Sequence, residues 1–333
     1  MDFENTKMQG PDPLVRVRSY VRCAYDRGAV MELLRGRGEA EHASWDGQDA
    51  FVRQVLQDPV LRQYPVALQY KARLLKAYLD DVTRSPESEV HEELLSQYLV
   101  IAHAAASRTV QSLHAASSDD DEQVFFTFEL PDGRLLPVKQ QIEFREVSQK
   151  MWPAAVVLGE YFVQHGDVTR GKRVLELGAG VGFTGLLLAK CGECKSLTLS
   201  DYSDSGLDLL RENLRLNEAG DNVSVWKLDW TDKQLTDESL SQFDLVYVAD
   251  CWYDYMVADI LTQLVERICR LNKCPFVNAT AIRNPKTYQL YRDKLLAVGF
   301  EATELRLEQG VESLFHFDSN ERYSVVMEQF DLK

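Results

Sequence analysis

Short apolar segments alternate with longer segments of helical spacing along the second half of the chain. The apolar segments predict parallel strands, at residues 173–178, 196–201, 223–229, 244–250 and 275–282. Patterns such as "GLDLLRENLRLN" and "MVADILTQLVERICRLN" lie between them and place apolar residues on one face of a helix. Strands and helices that alternate in this way predict a parallel sheet with helices packed on both faces. The second half of the chain is therefore predicted to be α/β.

The last two predicted strands end this alternation. Residues 300–307 and 322–330 both have the apolar pattern of strands, and no helical pattern separates them in the sequence. We therefore expect these two strands to close the sheet as an antiparallel pair. Such an ending is unusual for a dinucleotide-binding domain. It fits the seven-stranded, Rossmann-like sheet of class I methyltransferases, in which the last strand is antiparallel.

Two further patterns precede the α/β domain, which we place at residues 151–333. Residues 1–116 contain helical patterns such as "ALQYKARLLKAYLDDV" and predict an α-helical N-terminal domain, whose simplest role is substrate recognition. Residues 117–150 begin with the acidic run "SSDDDEQ", which predicts a solvated linker. They continue with "VFFTFELPDGRLLPVKQQIEF", in which Pro-Asp-Gly between two apolar runs predicts a β-hairpin.

A glycine-rich loop follows the first strand of the predicted sheet, in the sequence "VLELGAGVGFTG". Glycine allows a ligand to approach the backbone because it has no Cβ and accepts positive φ. A dinucleotide fingerprint would need its third glycine where this chain has Phe183. The loop instead has Glu176 at the strand end, followed by alternate glycines from Gly178 and Gly180 onward. An acid there suits the amino group and sulfonium of S-adenosylmethionine and repels a pyrophosphate, so Glu176 favours that cofactor.

Acidic and aromatic residues also follow the next two strands. Asp201 ends the second strand, where a carboxylate can accept both ribose hydroxyls of a nucleoside, although this holds for a dinucleotide as well. Asp229 and Trp230 follow the third strand, where an acid and an aromatic ring could bracket the edge and face of an adenine. The alternative for Trp230 is packing in the core. Together with the glycine loop, these residues indicate a nucleoside-cofactor site.

The fourth strand ends in the sequence "DLVYVADCWYD". Ligands of open parallel sheets bind beyond the carboxyl ends of the strands, so Asp250 and Tyr253 are expected at the functional edge. An acid with an aromatic residue three positions later can receive a protonated amine, through charge from Asp250 and cation–π contact from Tyr253. The alternative is that Asp250 caps the next helix and Tyr253 packs inside. The Asn/Asp-Pro-Pro-aromatic loop of adenine- and amide-directed methyltransferases is missing from the sequence.

Composition limits the class of partner. The chain has 333 residues and a formal net charge of −15, which argues against direct nucleic-acid binding because that requires a cationic surface. No apolar run reaches the roughly 20 residues of a membrane helix, and the polar N-terminus lacks a signal-peptide pattern, so we expect a cytoplasmic protein. The six cysteines include one C-x-x-C pair, and without further ligands no metal site is predicted. The sequence does not require more than a monomer.

Three stretches resemble the lysine-targeting seven-strand methyltransferases, whose motif after the fourth strand is Asp-x-x-Tyr. They are "MWPAA" (151–155), "VLELGAGVGFTGL" (174–186) and "ATAIRNPKTYQLY" (279–291). Within this family the chain resembles the branch that methylates a lysine of eukaryotic elongation factor 2. The segment "QDPVLRQYPVALQYKARLLKAYL" resembles the helical N-terminal extension of that branch. The resemblance implies a protein-lysine N-methyltransferase with elongation factor 2 as its substrate.

The resemblance also implies which residues form the site. Those expected to contact S-adenosylmethionine are Trp152, Gly178, Ala179, Gly180, Asp201, Trp230 and Ala249. The target lysine is expected near Asp250 and Tyr253, as the catalytic residues, and Arg283 and Asn284 either contact substrate or stabilise their loop. The chain departs from the family twice. "REVSQKMW" lacks the glycine that often precedes the tryptophan, and Trp252 is bulkier than the residue expected there.

Three other functions are compatible with parts of this pattern. The first is methylation of a lysine in another protein, such as a chaperone. The second is a non-catalytic cofactor-binding interaction module, which the intact set of Glu176, the glycines, Asp250 and Tyr253 disfavours. The third is a small-molecule or RNA methyltransferase, which the acidic charge and the missing Pro-Pro loop disfavour.

Overall fold

A computed structural model of the chain describes residues 13–36, 38–84, 88–114, 123–141, 146–308, 313–315 and 325–333. The chain divides into two compact units, Met1–Phe128 and Glu129–Lys333. The acidic segment predicted as a linker lies, at residues 117–122, outside the described residues. Within the described residues no helix is both long enough and apolar enough to cross a bilayer.

The first unit is helical, as predicted. Its α-helices are α1 (Pro13–Arg22), α2 (Arg27–Arg35), α3 (Glu39–Ala43), α4 (Trp45–Phe51), α5 (Pro59–Gln63), α6 (Leu68–Val82) and α7 (Glu92–His114), with a π-helical turn at Val52–Leu56. Side-chain oxygens of Asp26, Ser44 and Asp58 cap the first turns of α2, α4 and α5. The core of this unit includes the buried side chains of Phe51 and Tyr78.

Two strands, β1 (Gln123–Glu129) and β2 (Leu135–Gln141), form the predicted hairpin as a two-stranded sheet. The main sheet has seven strands: β3 (Arg173–Leu177), β4 (Ser196–Asp201), β5 (Val223–Lys227), β6 (Leu245–Ala249), β7 (Phe276–Ala281), β8 (Phe300–Leu305) and β9 (Val325–Leu332). Their order is β5-β4-β3-β6-β7-β9-β8. Strands β3 to β7 pair in parallel, and β9 pairs antiparallel with both β7 and β8. The predicted fold class is confirmed.

Within the described residues, six α-helices accompany the main sheet. They are α8 (Pro153–Gln164), α9 (Phe183–Cys191), α10 (Asp204–Leu216), α11 (Asp237–Leu240), α12 (Tyr255–Asn272) and α13 (Pro285–Ala297). Short 3₁₀ turns at Val147–Gln149 and Gly166–Val168 flank α8. Ser203, Asp254 and Asn284 cap α10, α12 and α13, so each of these helices begins where a short polar side chain accepts from its first turn.

The order of the strands positions a ligand site. From β3 the chain first builds outward through β4 and β5, and it returns to the other side of β3 with β6. The connections that leave β3 and β6 therefore run in opposite directions along the sheet. The crevice between them, at the carboxyl ends of the strands, is where open α/β sheets bind ligands.

Candidate active site

Loops at the carboxyl ends of β3 to β7 border one cavity of about 1160 Å³. All ten site residues predicted from the sequence border it: Trp152, Glu176, Gly178, Ala179, Gly180, Asp201, Trp230, Ala249, Asp250 and Tyr253. Arg283 borders it as well, whereas Asn284 caps α13. The structure thus brings the predicted set together, and the roles of its members toward cofactor and substrate remain predictions.

The glycine loop presents bare backbone to this cavity. Gly178 has a φ of +72° and Gly180 a φ of +55°, a conformation that favours glycine. A Cβ on Gly178 would lie 2.6 Å from the sulfur of Cys251 and 3.3 Å from the ring of Trp230. A side chain at this position would therefore collide with the cavity wall. The loop can accept a cofactor pressed against its backbone, and in this respect it fits S-adenosylmethionine.

Glu176 is buried at the end of β3, with 2% of its surface exposed. Its Oε2 accepts a hydrogen bond of 2.9 Å from the hydroxyl of Tyr247. Burial raises the pKa of Glu176 to about 8, although the bond from Tyr247 opposes this shift. The side chain is therefore largely protonated at neutral pH in the protein alone. A cation in the cavity would favour its ionised form, so Glu176 can respond to a positively charged cofactor.

Asp201 lies at the end of β4, and its carboxylate organises two loops. Its Oδ2 accepts from the backbone N–H of Gly180 at 2.9 Å, and its Oδ1 accepts from those of Tyr202 at 2.8 Å and Ser203 at 3.1 Å. Burial raises the pKa of Asp201 against the effect of these bonds. A carboxylate has about four acceptor positions, so three bonds leave one, on Oδ2. One ribose hydroxyl, rather than two, can be accepted here without a rearrangement.

A second carboxylate near Asp201 was not anticipated from the sequence. Glu146 borders the cavity, and its Oε2 accepts hydrogen bonds from the hydroxyls of Ser203 and Ser205. Its backbone N–H is bonded to Gln149 in the capping box of the following 3₁₀ turn. This is the segment that lacks the glycine of the family. The sequence signal for this arrangement was Glu146 followed three residues later by Gln149, which is the spacing of a capping box.

Asp250 follows β6 with a φ of +57°, and its side chain is 3% exposed. Its Oδ1 accepts from the backbone N–H of Ala281 at 2.8 Å and from Nη1 of Arg283 at 3.1 Å. Its Oδ2 accepts from the backbone N–H of Ala154 at 3.2 Å, with Nη2 of Arg283 at 3.5 Å. Asp254 caps the helix that follows, so the alternative in which Asp250 caps that helix is wrong. Asp250 instead connects α8, β7 and Arg283.

Two cationic side chains lie close to the ring of Trp152. The Cζ of Arg283 lies 5.2 Å and the Nζ of Lys150 lies 5.1 Å from the ring centroid, which is within the range of cation–π attraction. The indole N–H donates to the carbonyl of Val147 at 2.9 Å. These contacts fix Trp152 at the edge of the cavity. Arg283 therefore joins this ring to Asp250.

Trp252 and Tyr253 differ in exposure although they are adjacent. Trp252 is 5% exposed, and its indole N–H donates to Oδ1 of Asn278 at 2.9 Å. Its ring stacks on Tyr291 at 4.6 Å, so its extra bulk fills the core and does not border the cavity. Tyr253 is 59% exposed at the cavity. Partial burial raises the pKa of the Tyr253 phenol, which therefore stays protonated at neutral pH.

The chain is similar to known protein-lysine methyltransferases. The human protein-lysine N-methyltransferase EEF2KMT is 28% identical over 281 residues, which cover 78% of this chain and 79% of that protein. The sequence model of the lysine methyltransferase family matches residues 131–292, a span that includes every residue bordering the cavity. Residues 131–292 form a lysine methyltransferase domain. As a lysine methyltransferase it is an enzyme, and the prediction of S-adenosylmethionine as its cofactor is confirmed.

Other lysine methyltransferases align with the chain over shorter lengths. The protein-lysine N-methyltransferase EFM3 of Chaetomium thermophilum is 27% identical over 254 residues, covering 71% of this chain and 74% of that protein. A calmodulin-lysine N-methyltransferase of Arabidopsis thaliana is 31% identical over 105 residues, covering 31% of this chain and 34% of that protein. The first alignment is longer than the methyltransferase unit of this chain, which begins at Glu129.

Proposed function

We propose that this lysine methyltransferase modifies a lysine of eukaryotic elongation factor 2. Relatives in human and mouse that align over 79% and 81% of their own length are both named EEF2KMT, a name that points to this substrate. The resemblance of the N-terminal helices to the elongation factor 2 branch supports the same assignment. The observation that carries lysine methylation itself is that Asp250 and Tyr253 border the same cavity as the glycine loop.

The residues of the cavity fit the needs of a lysine acceptor. Free lysine has a pKa of about 10.4, so its ammonium must lose a proton before the nitrogen can react. We assign Asp250 and Tyr253 to the place where this nitrogen is held, with the phenol oxygen of Tyr253 accepting from an amine N–H. When bound, S-adenosylmethionine supplies the electrophilic methyl group. Holding the nitrogen in line is a form of catalysis that supplies roughly 7–11 kcal/mol in favourable cases.

The remaining residues are assigned to cofactor binding. Gly178, Ala179 and Gly180 offer backbone without obstruction, and Trp230 provides an aromatic surface beside them. Glu176 and Asp201 supply the acids on the side of the glycine loop. These assignments follow the family resemblance. The acids and the loop backbone suit the cationic part of the cofactor, and the ring of Trp230 suits its adenine.

The test is methylation of the purified factor. The full chain is incubated with radiolabelled S-adenosylmethionine and either elongation factor 2 or a whole extract, and the labelled band is analysed by mass spectrometry. We expect label on a lysine of elongation factor 2. Asp250→Ala should abolish transfer while it leaves the affinity for S-adenosylhomocysteine within a few fold, and Gly180→Arg should prevent cofactor binding.

Other patterns of labelling would contradict parts of the proposal. Label on calmodulin, a chaperone or another protein would replace the substrate and keep the reaction. Label on RNA alone would contradict lysine as the acceptor. We further propose that the enzyme works as a monomer in the cytoplasm, which light scattering of the purified chain and imaging of a tagged chain would test.

A further inference from the structure

The carboxylate of Asp250 has no free acceptor position in this structure. Two backbone N–H groups, from Ala154 and Ala281, and two nitrogens of the Arg283 guanidinium lie within 3.5 Å of its oxygens. A carboxylate accepts about four hydrogen bonds. An incoming ammonium therefore cannot bond to Asp250 unless one of these donors leaves. The negative charge of Asp250 is also already paired before any substrate arrives.

Arg283 supplies the positive charge that pairs with the carboxylate of Asp250. Its guanidinium contacts both oxygens of Asp250 and lies over the ring of Trp152, so it is held on two sides. Its backbone N–H is bonded to the carbonyl of Ala281, which fixes the turn between β7 and α13. Asn284 and Pro285 then begin α13. In the Arg-Asn-Pro segment the arginine thus faces the cavity, and the next two residues start a helix.

We propose that Arg283 is a positioning residue that keeps Asp250 paired, so that the target lysine is held in the cavity as a neutral amine. This inference rests on the proposed function, because it requires a lysine as the methyl acceptor. An unpaired carboxylate beside the amine would favour the ammonium, which has no lone pair to react. Free lysine is neutral in only roughly one molecule in a thousand at pH 7.4. Each further unit of pKa would lower that fraction tenfold.

Other charged groups around the cavity belong to several elements. The titratable groups that border it are Glu146, Lys150, Glu176, Asp201, Tyr202, Asp204, Lys227, Asp229, Asp250, Cys251, Tyr253 and Arg283. Lys227 is paired with Asp204 at 2.7 Å, and Lys150 lies over Trp152. Asp229 accepts from the backbone and hydroxyl of Thr231. Asp250 is the acid of this set that the Asp-x-x-Tyr motif places beside the lysine, and Arg283 is the cation bonded to it.

The experiment measures methyl transfer as a function of pH. Single-turnover rates with elongation factor 2, or with the labelled protein found in the extract, are recorded from pH 6.5 to 10 for the unaltered chain, Arg283→Gln and Arg283→Lys. Arg283→Gln should move the rise of rate with pH upward by about one unit and slow transfer about tenfold at pH 7.5. Arg283→Lys keeps the charge and should restore most of the original profile. Affinity for S-adenosylhomocysteine should change by less than about threefold.

A matched control distinguishes an effect of the charge of Arg283 from the structural effect of breaking an ion pair. Arg173 pairs with Asp244 at 2.8 Å at the opposite end of β3, so Arg173→Gln breaks a similar pair outside the cavity and should leave the pH profile unchanged. A rate that falls equally at every pH in Arg283→Gln would overturn the inference and leave a structural role. A faster rate in Arg283→Gln would also overturn it, because Arg283 would then act as a gate that lysine displaces. Failure of the unaltered chain to methylate any lysine would overturn the proposed function as well.

Discussion

Two residues of the cavity wall, Gly178 and Asp250, combine a positive φ with close contacts. Gly178 and Asp250 both have positive φ, and they lie at the ends of the adjacent strands β3 and β6. At Gly178 the positive φ, which glycine adopts without strain, comes with a contact that only a missing Cβ permits. At Asp250 four donors hold the side chain in place. A non-glycine residue with positive φ, such as Asp250, is held by its surroundings, and such residues tend to occur at functional sites.

Gly178→Ala should weaken cofactor binding at least tenfold. The added Cβ would lie 2.6 Å from the sulfur of Cys251, so the cavity wall must move. Gly171→Ala is a matched control because Gly171 has a similar φ of +68°, and no atom of the described part of the chain lies within 4 Å of the added carbon. Both variants should lose about 1 kcal/mol of stability from the strained φ. Calorimetry with S-adenosylhomocysteine would contradict the loop assignment if the two variants bound it equally well.

Glu176→Gln should change how stability depends on pH. The pKa of about 8 in the folded chain lies above the ordinary glutamate value of about 4.3. Between these values the folded state holds a proton that the unfolded chain has released, so the free energy of unfolding falls as pH rises. The slope from this group is about 1.4 kcal/mol per pH unit. The variant should lack this slope in urea denaturation between pH 5.5 and 7.5.

Glu304→Gln provides the comparison for this measurement. Glu304 is exposed, and its hydrogen bonds from Arg306 lower its pKa, so it is already ionised throughout the same pH window. Its replacement should leave the slope as in the unaltered chain. Parallel curves for the unaltered chain and Glu176→Gln would show that Glu176 does not bind a proton in this range.

Secondary-structure elements meet behind the cavity in a buried polar network. Asn278 of β7 accepts from Trp252 and donates to the hydroxyl of Tyr291 in α13 at 2.8 Å. Trp252 lies between Asp250 and Tyr253 in the sequence. This network therefore anchors the loop after β6 to β7 and α13. The side chains that face the cavity therefore depend on packing between β7 and α13.

Trp252→Phe should cost about 1–3 kcal/mol of stability. Phenylalanine can still fill most of the space, but Oδ1 of Asn278 would lose its buried donor. Trp45→Phe is a suitable comparison because Trp45 is 47% exposed, and its cost should stay below about 0.5 kcal/mol. Urea midpoints of the two variants give the difference. Equal midpoints would mean that the indole N–H contributes nothing measurable.

Helices and strands were predictable from the sequence where a local pattern of apolar and polar residues marks their bounds. The strand β4 was predicted with its observed bounds, Ser196–Asp201, because its apolar residues end at a polar turn. The contacts of Asp250 were not predictable, since Arg283 lies 33 positions away and Ala154 lies 96 positions away. The burial of Trp252 was missed for the same reason, because its partner Asn278 is on another strand. Local patterns predict which residues reach the cavity, and tertiary pairing decides what each side chain contacts.

The whole molecule consists of two units, each with its own apolar core. Buried side chains such as Phe51 and Tyr78 form the core of the first unit, and others such as Phe276 and Phe330 form that of the second. All residues that border the cavity belong to the second unit. The helical unit is therefore available for a separate task, and we propose that it recognises the substrate.

Deletion of residues 1–116 should separate these tasks. Because the cavity is built from the second unit alone, S-adenosylhomocysteine affinity should change by less than about fivefold. Methylation of folded elongation factor 2 should fall by at least tenfold. Calorimetry and initial rates measure the two effects. Equal loss of both would show instead that the catalytic unit needs the helical unit in order to fold.

The position of β9 has a consequence for biosynthesis. It is the last of the nine described strands along the chain, yet it lies inside the sheet between β7 and β8. While a ribosome is still translating the preceding residues, β8 has no neighbour to pair with, and the outer edge of β7 is open. Sheet closure must therefore wait for the final strand to leave the exit tunnel. A nascent chain that stalls just before it would expose an unpaired strand edge, which is a surface that chaperones bind and that promotes aggregation.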